Sequence, residues 1–247
     1  MRFPDRFSYP EGIRAAVSLT FDDSRASQLD RGLAILTRHD VHATFYFGLR
    51  VGTHRVDEWR AAADAGHEIG NHTMTHACSG NFQWDVPNVL EDKDLAWIEA
   101  DILEAQQWIE EHLSVLPTTF AYPCGQPFVG RGEHYRSYVP VVSQHFIAGR
   151  GFMDEPLNDP SFCDLSMLNG YDSDEKTFDE LVAVLDRARQ ENAWVVFASH
   201  EVGDPGDGQA IPADVLDELC AYCKDPANGL WLDTVDAIAT AIQEQRS

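Results

Sequence analysis

Residues 15–23 read AAVSLTFDD, an apolar run from Ala15 to Leu19 that closes on Thr20, Phe21, Asp22 and Asp23. A short run of this kind, bounded by polar residues, predicts a strand over 16–21. Side chains alternate along a strand, so two neighbouring carboxylates at its end point different ways and hold different jobs. One can ligate a metal while the other handles protons. Taken alone, an Asp pair followed by Ser24 is more often the polar cap of the next helix.

Outward from this run, short segments rich in Val, Ile, Phe and Tyr alternate with longer ones of helical period. Strands are expected at 43–47, 68–71, 118–122, 146–150, 165–171, 194–199 and 230–232, and helices at 28–38, 57–65, 93–112, 177–191, 212–222 and 235–245. This is the pattern of repeated βα units around a parallel sheet. Eight strands, each followed by a helix or loop, fit an α/β fold of the TIM-like barrel type, distorted by irregular connections at 78–90 and 125–132. The chemically active residues fall at the C-terminal ends of strands, where such barrels gather their active-site loops. One domain over 1–247 is expected, since this length is routine for one α/β barrel.

Composition limits the function. Asp and Glu number 41 against 18 Lys and Arg, a formal charge of -23. A nucleic acid needs a basic stripe to replace its counterions, and none is present. Anionic membranes are disfavoured for the same reason, whereas a neutral glycan or a cationic amine product is compatible. The N-terminus carries no apolar core of a signal peptide and no later segment is long enough to span a bilayer, so a cytoplasmic protein is expected. Five cysteines at irregular spacing (Cys78, Cys124, Cys163, Cys220, Cys223) fit a reducing compartment better than a disulfide framework. Cys220 and Cys223 form a CxxC inside a helical pattern and read as helix-face residues.

The third strand runs into Gly70, Asn71, His72, Thr73, Met74, Thr75 and His76. Histidines four apart share a face of one helical turn, within reach of a single cation. Together with an unexplained Asp pair at another strand end, they point to a metal. Imidazole nitrogens and a carboxylate oxygen suit zinc at ~2.0–2.2 Å, and three protein ligands leave a position open for water.

TFDD and GHEIGNHTMTH resemble the first two motifs of the polysaccharide deacetylases, carbohydrate esterase family four. The resemblance implies a distorted (β/α) barrel and a metal-dependent hydrolase of carbon–nitrogen bonds other than peptide bonds, which removes acetyl groups from N- or O-acetylated carbohydrate. It implies Asp22 as general base and Asp23, His72 and His76 as ligands of a divalent cation, zinc foremost, with cobalt, manganese or nickel as alternatives. The third motif, Arg-x-x-Pro-Tyr in the family, is represented by Phe120, Ala121, Tyr122, Pro123, Cys124 and Gly125. By this match Pro123 and Tyr122 line the substrate groove and the backbone N–H of Cys124 donates to the oxyanion, a role that survives the change of side chain. Cys124 itself reads as a small buried residue, not a nucleophile. The family's Arg is absent, and Arg150, at the end of the fifth strand, is proposed to supply its charge beside Asp22.

Val195 to His200 is similar to the family's Leu-x-Leu-x-His, which makes His200 the general acid, with Ala198 replacing a leucine of the acetate pocket. The fourth motif, Asp-x-x-Asp-Trp, is missing; Asp164 and Asp172 lie in the right stretch to orient His200. Phe82 and Trp84, in the loop after the metal motif, are candidates for stacking on a sugar ring. His67, His134 and His145 match no motif. Two other readings compete: a metal-dependent hydrolase of a non-sugar amide or cyclic imide, and a catalytically silent glycan-binding module. The oligomeric state is not readable from the sequence.

Overall fold

The computed structural model describes residues 6–50, 52, 54–82 and 88–247. Its main sheet has eight parallel strands: β1 (Ala15–Phe21), β2 (Thr44–Phe47), β3 (Glu68–Asn71), β4 (Thr119–Ala121), β5 (Ala148–Arg150), β6 (Tyr171–Asp172), β7 (Trp194–Ser199) and β8 (Leu230–Leu232). They run in space as β5-β4-β3-β2-β1-β7-β6. On the edge of β1 opposite β7, β8 pairs with Ala15 to Val17 and β2 with Thr20 and Phe21. One segment joins the two ends of this order. Leu168 exchanges backbone hydrogen bonds with Gly149 and Gly151, and Tyr171 and Asp172 pair with Phe197 and Ala198 of β7. The sheet thus curls into the distorted (β/α) barrel that the alternating pattern implied.

The strand expected at 165–171 is the main departure. Residues Leu165–Met167 form a 3-10 turn, held by the Asp164 side chain accepting from the Ser166 N–H, and only the stretch after it pairs. A local side-chain bond to the backbone outcompetes the ladder there. The helices are α1 (Leu33–Arg38), α2 (Val56–Asp64), α3 (Leu95–Leu113), α4 (Val139–His145), α5 (Phe178–Glu191), α6 (Ala213–Lys224) and α7 (Val235–Arg246). A π-helical turn, Gln28–Gly32, precedes α1. Asp94 caps α3 by accepting from the Trp97 N–H, and Thr177 with Glu180 forms a capping box on α5. Cys220 and Cys223 lie buried on the inner face of α6 with Leu216 and Leu219.

Strand parity positions the chemistry. Ala15, Val17, Leu19 and Phe21 pack in the cluster beneath the surrounding helices, whereas Ala16 packs inside with Trp194, Val196 and Ala148. On the inner face the Trp194 indole donates to Ser18 Oγ at 3.1 Å. Asp22 continues the parity of Ala16, Ser18 and Thr20, and His200 that of Trp194, Val196 and Ala198. The β1–β7 register aligns Phe21 with Ser199, so the next residues on each strand emerge side by side. At the opposite end of the barrel Glu68 accepts from Thr44 Oγ1 at 2.7 Å, from Thr119 Oγ1, and from the Asp236 N–H at 3.0 Å in the first turn of α7. Among the described residues no helix is long and apolar enough to cross a membrane.

Candidate active site

Asp22 and Asp23 diverge by a turn of the backbone. β1 ends at Phe21, and Asp23 (φ 73°) and Ser24 (φ 47°) adopt the left-handed conformation, unusual for residues with a Cβ. Strand alternation alone does not account for the two directions. Asp22 forms a buried ion pair with Arg150, whose side chain is fully buried and whose guanidinium lies 5.0 Å from the Tyr46 ring centroid. Burial pushes the Asp22 carboxyl up, but the charge of Arg150, with His72 and His200, outweighs it and holds the group below the usual carboxylate range.

Asp23 turns towards the histidines. Its Oδ2 accepts from Arg25 at 2.8 Å, while its buried Oδ1 has no hydrogen-bond partner and lies 3.3 Å from His76 Nε2 and 3.7 Å from His72 Nε2. His72 Nδ1 faces the Ala121 carbonyl at 2.8 Å. A carbonyl only accepts, which assigns the proton to Nδ1 and leaves Nε2 of a neutral His72 a bare lone pair. Burial, then the neighbouring His72, brings His76 down to about 4, so His76 is neutral near pH 7. Three lone-pair donors from Asp23, His72 and His76 therefore converge within 4.8 Å of one another. Such a set is repulsive unless a cation joins it, and its two imidazoles and one carboxylate are donors able to hold a divalent cation.

No helix brings the histidines together. Thr73 (φ 63°) and His76 (φ 52°) are left-handed, and the loop is held by side chains: the Thr73 N–H donates to Asn71 Oδ1, the His76 N–H to Thr73 Oγ1, and the Thr75 hydroxyl to Asp101. The expected helical turn is thus replaced by a loop that places the two rings 4.9 Å apart.

His200 closes the other side. Its Nδ1 is 2.7 Å from Asp174 Oδ2, and Asp174 Oδ1 also accepts from Ser199 Oγ and the His200 N–H. Burial pulls His200 down, but the Asp174 hydrogen bond and the charges of Asp22 and Asp174 prevail, so its pKa is raised. Asp164 and Asp172 do not orient His200. Asp164 caps the 3-10 turn, and Asp172 accepts from the Asp174 N–H at the end of β6. Gln28 fastens both strand ends, its amide donating to the Asp22 and His200 carbonyls, each at 2.6 Å. A π turn beginning at Gln28 fits the frequent placement of such turns at functional sites.

One cavity of about 510 Å3 is lined by Asp22, Asp23, His72, His76, Cys124 and His200 together with Phe82, Phe152, Met153, Arg25, Arg50 and Gln209. That volume is within the range of about 300–1,000 Å3 usual for small-molecule clefts. Cys124 stands in the left-handed conformation (φ 55°, ψ 19°) and is disulfide-bonded to Cys78, with Cα atoms 5.9 Å apart. The reading of Cys124 as a plain buried residue, and of the cysteines as an unpaired set, is thereby corrected. Neither spacing nor parity brings positions 46 apart together; the turn after β4 and the loop after β3 do. Tyr122 is fully buried and donates to the Ser166 carbonyl at 2.6 Å, and neither it nor the buried Pro123 is among the residues that line the cavity. Trp84 lies outside the described residues.

A sequence model described as polysaccharide deacetylase matches residues 11–135, just over half of the chain. The chain belongs to the polysaccharide deacetylase family. This is a family of metal-dependent hydrolases that act on acetylated carbohydrate. Its fold is shared with a Mycobacterium smegmatis protein classed with the polysaccharide deacetylases, at 18% identity over 98% of this chain and 95% of that one, with a TM-score of 0.72. It is shared as well with the allantoinase PuuE (15%, 96% and 92%, TM-score 0.68) and a Clostridium thermocellum acetyl xylan esterase solved with a cobalt ion (18%, 91% and 90%, TM-score 0.61). A Bacillus gellan lyase is 28% identical over 144 residues, which are 57% of this chain and 5% of that protein. In this deacetylase-family chain the sequence reading missed Asp174, Gln28, Arg25 and Phe152. Asp174 lies in the turn that follows β6, two residues beyond Asp172.

Proposed function

We propose that the chain is a zinc-dependent deacetylase that hydrolyses N-acetyl or O-acetyl groups on a carbohydrate. One observation carries the reading: the buried, unpartnered Oδ1 of Asp23 faces the lone pairs of His72 and His76 on the same cavity as the Asp22–Arg150 and His200–Asp174 pairs. A divalent cation held by Asp23, His72 and His76 supplies Lewis acidity to the acetyl carbonyl and acidifies water. Asp22, kept ionised and oriented by Arg150, takes the proton of the attacking water. The Cys124 N–H donates to the developing oxyanion. His200, with Nδ1 held by Asp174, protonates the departing nitrogen or oxygen from its other ring nitrogen. Phe82 and Phe152 offer apolar faces to a sugar ring.

The apolar wall of Phe82, Phe152 and Met153 favours a second reading, in which a small non-sugar amide or cyclic imide occupies the cavity. Acetate release by zinc-reconstituted protein, measured on N-acetylglucosamine oligomers, peptidoglycan fragments, acetyl-xylan and small amides, separates the two. Turnover confined to the amides removes the carbohydrate reading.

A further inference from the structure

His76 stands between two ligand sets. Its Nε2 faces Asp23 Oδ1 at 3.3 Å, and its Nδ1 faces Cys78 Sγ at 3.7 Å. One ring nitrogen of His76 and the sulfurs of Cys78 and Cys124 lie within 4.8 Å of one another, a second cluster able to hold a metal ion. A neutral imidazole presents one lone pair at a time, so the two sets cannot both use His76. The disulfide decides between them, because disulfide sulfurs are poor ligands and thiolates are strong ones for soft cations.

We propose that Cys78 and Cys124 form a redox-controlled second cation site, which takes the cation away from Asp23 and His72 when the disulfide is opened. The inference rests on the proposed metal site at Asp23, His72 and His76. Cys124 lines the cavity, whereas Cys78 is fully buried. A dithiol entering the cavity attacks the Cys124 sulfur, the Cys78 thiolate leaves, and a mixed disulfide forms at Cys124. The second thiol of the reductant then releases Cys124 and becomes a disulfide itself, carrying away the two electrons' worth of oxidation. The two protein thiols lose their protons as the cation binds them together with His76 Nδ1. Closed, the bond ties the loop that carries His76 to the turn that presents the Cys124 N–H. Opened, it unties that turn and redirects His76.

The test uses the full chain loaded with one equivalent of cobalt, before and after reduction by a phosphine, chosen because dithiols themselves ligate metals. Thiol titration verifies that two further thiols have appeared. Oxidised protein is expected to bind cobalt without a sulfur-to-cobalt charge-transfer band and to release acetate. Reduced protein is expected to gain that band and to lose at least tenfold in kcat. In the Cys78→Ser/Cys124→Ser variant no band forms, and activity, whatever its level, does not respond to the phosphine. Verified reduction of the wild type with no band, or with unchanged kcat, overturns the inference while leaving the Asp23 site standing. If the oxidised protein binds no cobalt, the proposed function fails, and this inference fails with it.

Discussion

At the scale of single residues, the proposed site depends on two carboxylates, Asp174 and Asp22, that lie outside the Asp23–His72–His76 set. Asp174 raises the pKa of His200 through the Nδ1 contact of 2.7 Å. In its proposed role as the acid, His200 acts in its protonated form, so kcat/KM should fall as pH rises through its pKa, which is raised above the ordinary imidazole value. Asp174→Asn removes the charge and should move this alkaline limb to lower pH, a shift read directly from the pH–rate profile. An unmoved limb would assign it to another group. Arg150 is buried against Asp22, and breaking such a pair costs about 3–5 kcal/mol because the remaining charge is stranded. Arg150→Met should therefore destabilise the protein and lower kcat on the order of 10²-fold. In the Asp22→Asn/Arg150→Met double variant much of the lost stability should return, although activity should not. Equal melting curves for the single and double variants would argue against a buried charge at Asp22.

Among the elements, the barrel strands gather this chemistry at one end and are tied together at the other by Glu68. Burial pushes its carboxyl up to about 7, against the lowering bonds from the Asp236 N–H, Thr119 and Thr44. A carboxyl with its folded-state pKa raised contributes stability that is fully present below the unfolded value and is lost as pH rises through the folded one. Wild-type thermal stability should accordingly decline between about pH 4.5 and 7 relative to Glu68→Gln, which cannot ionise. Glu68→Ala leaves up to three donors unsatisfied and should cost about 1–3 kcal/mol. Parallel melting curves of wild type and Glu68→Gln across that window would sink the assignment. Element positions were largely legible in the sequence, since β1 and β7 are short apolar runs with polar ends and their parity puts Asp22 and His200 on one face. The stretch 165–171 was not, because Asp164 gives its backbone a local alternative to the ladder. Nor was the conformation of 72–76: the same spacing serves a helical turn or a loop, and Asn71, Thr73 and Asp101 decide for the loop through contacts made only in the fold.

For the whole molecule, the site is an assembly of five strand ends that closes only when Leu168 bridges β5 and the following residues pair with β7. Asp22 and Asp23 come from β1, His72 from β3, Cys124 follows β4, Arg150 ends β5 and His200 follows β7. The TFDD and NHTMTH motifs pointed to the proposed ligands because they sit at strand ends. The His200 partner, the disulfide and the role of Gln28 stayed hidden because each joins segments distant in sequence. The central claim is that Asp23, His72 and His76 hold one catalytic cation. Its most direct measurement is acetate release from N-acetylglucosamine oligomers by oxidised protein stripped with a chelator and titrated with zinc, in parallel with His76→Ala. The account predicts loss of activity on stripping, recovery that saturates at one equivalent of zinc, and no recovery in the variant; turnover undiminished by stripping, or restored equally without His76, would contradict it.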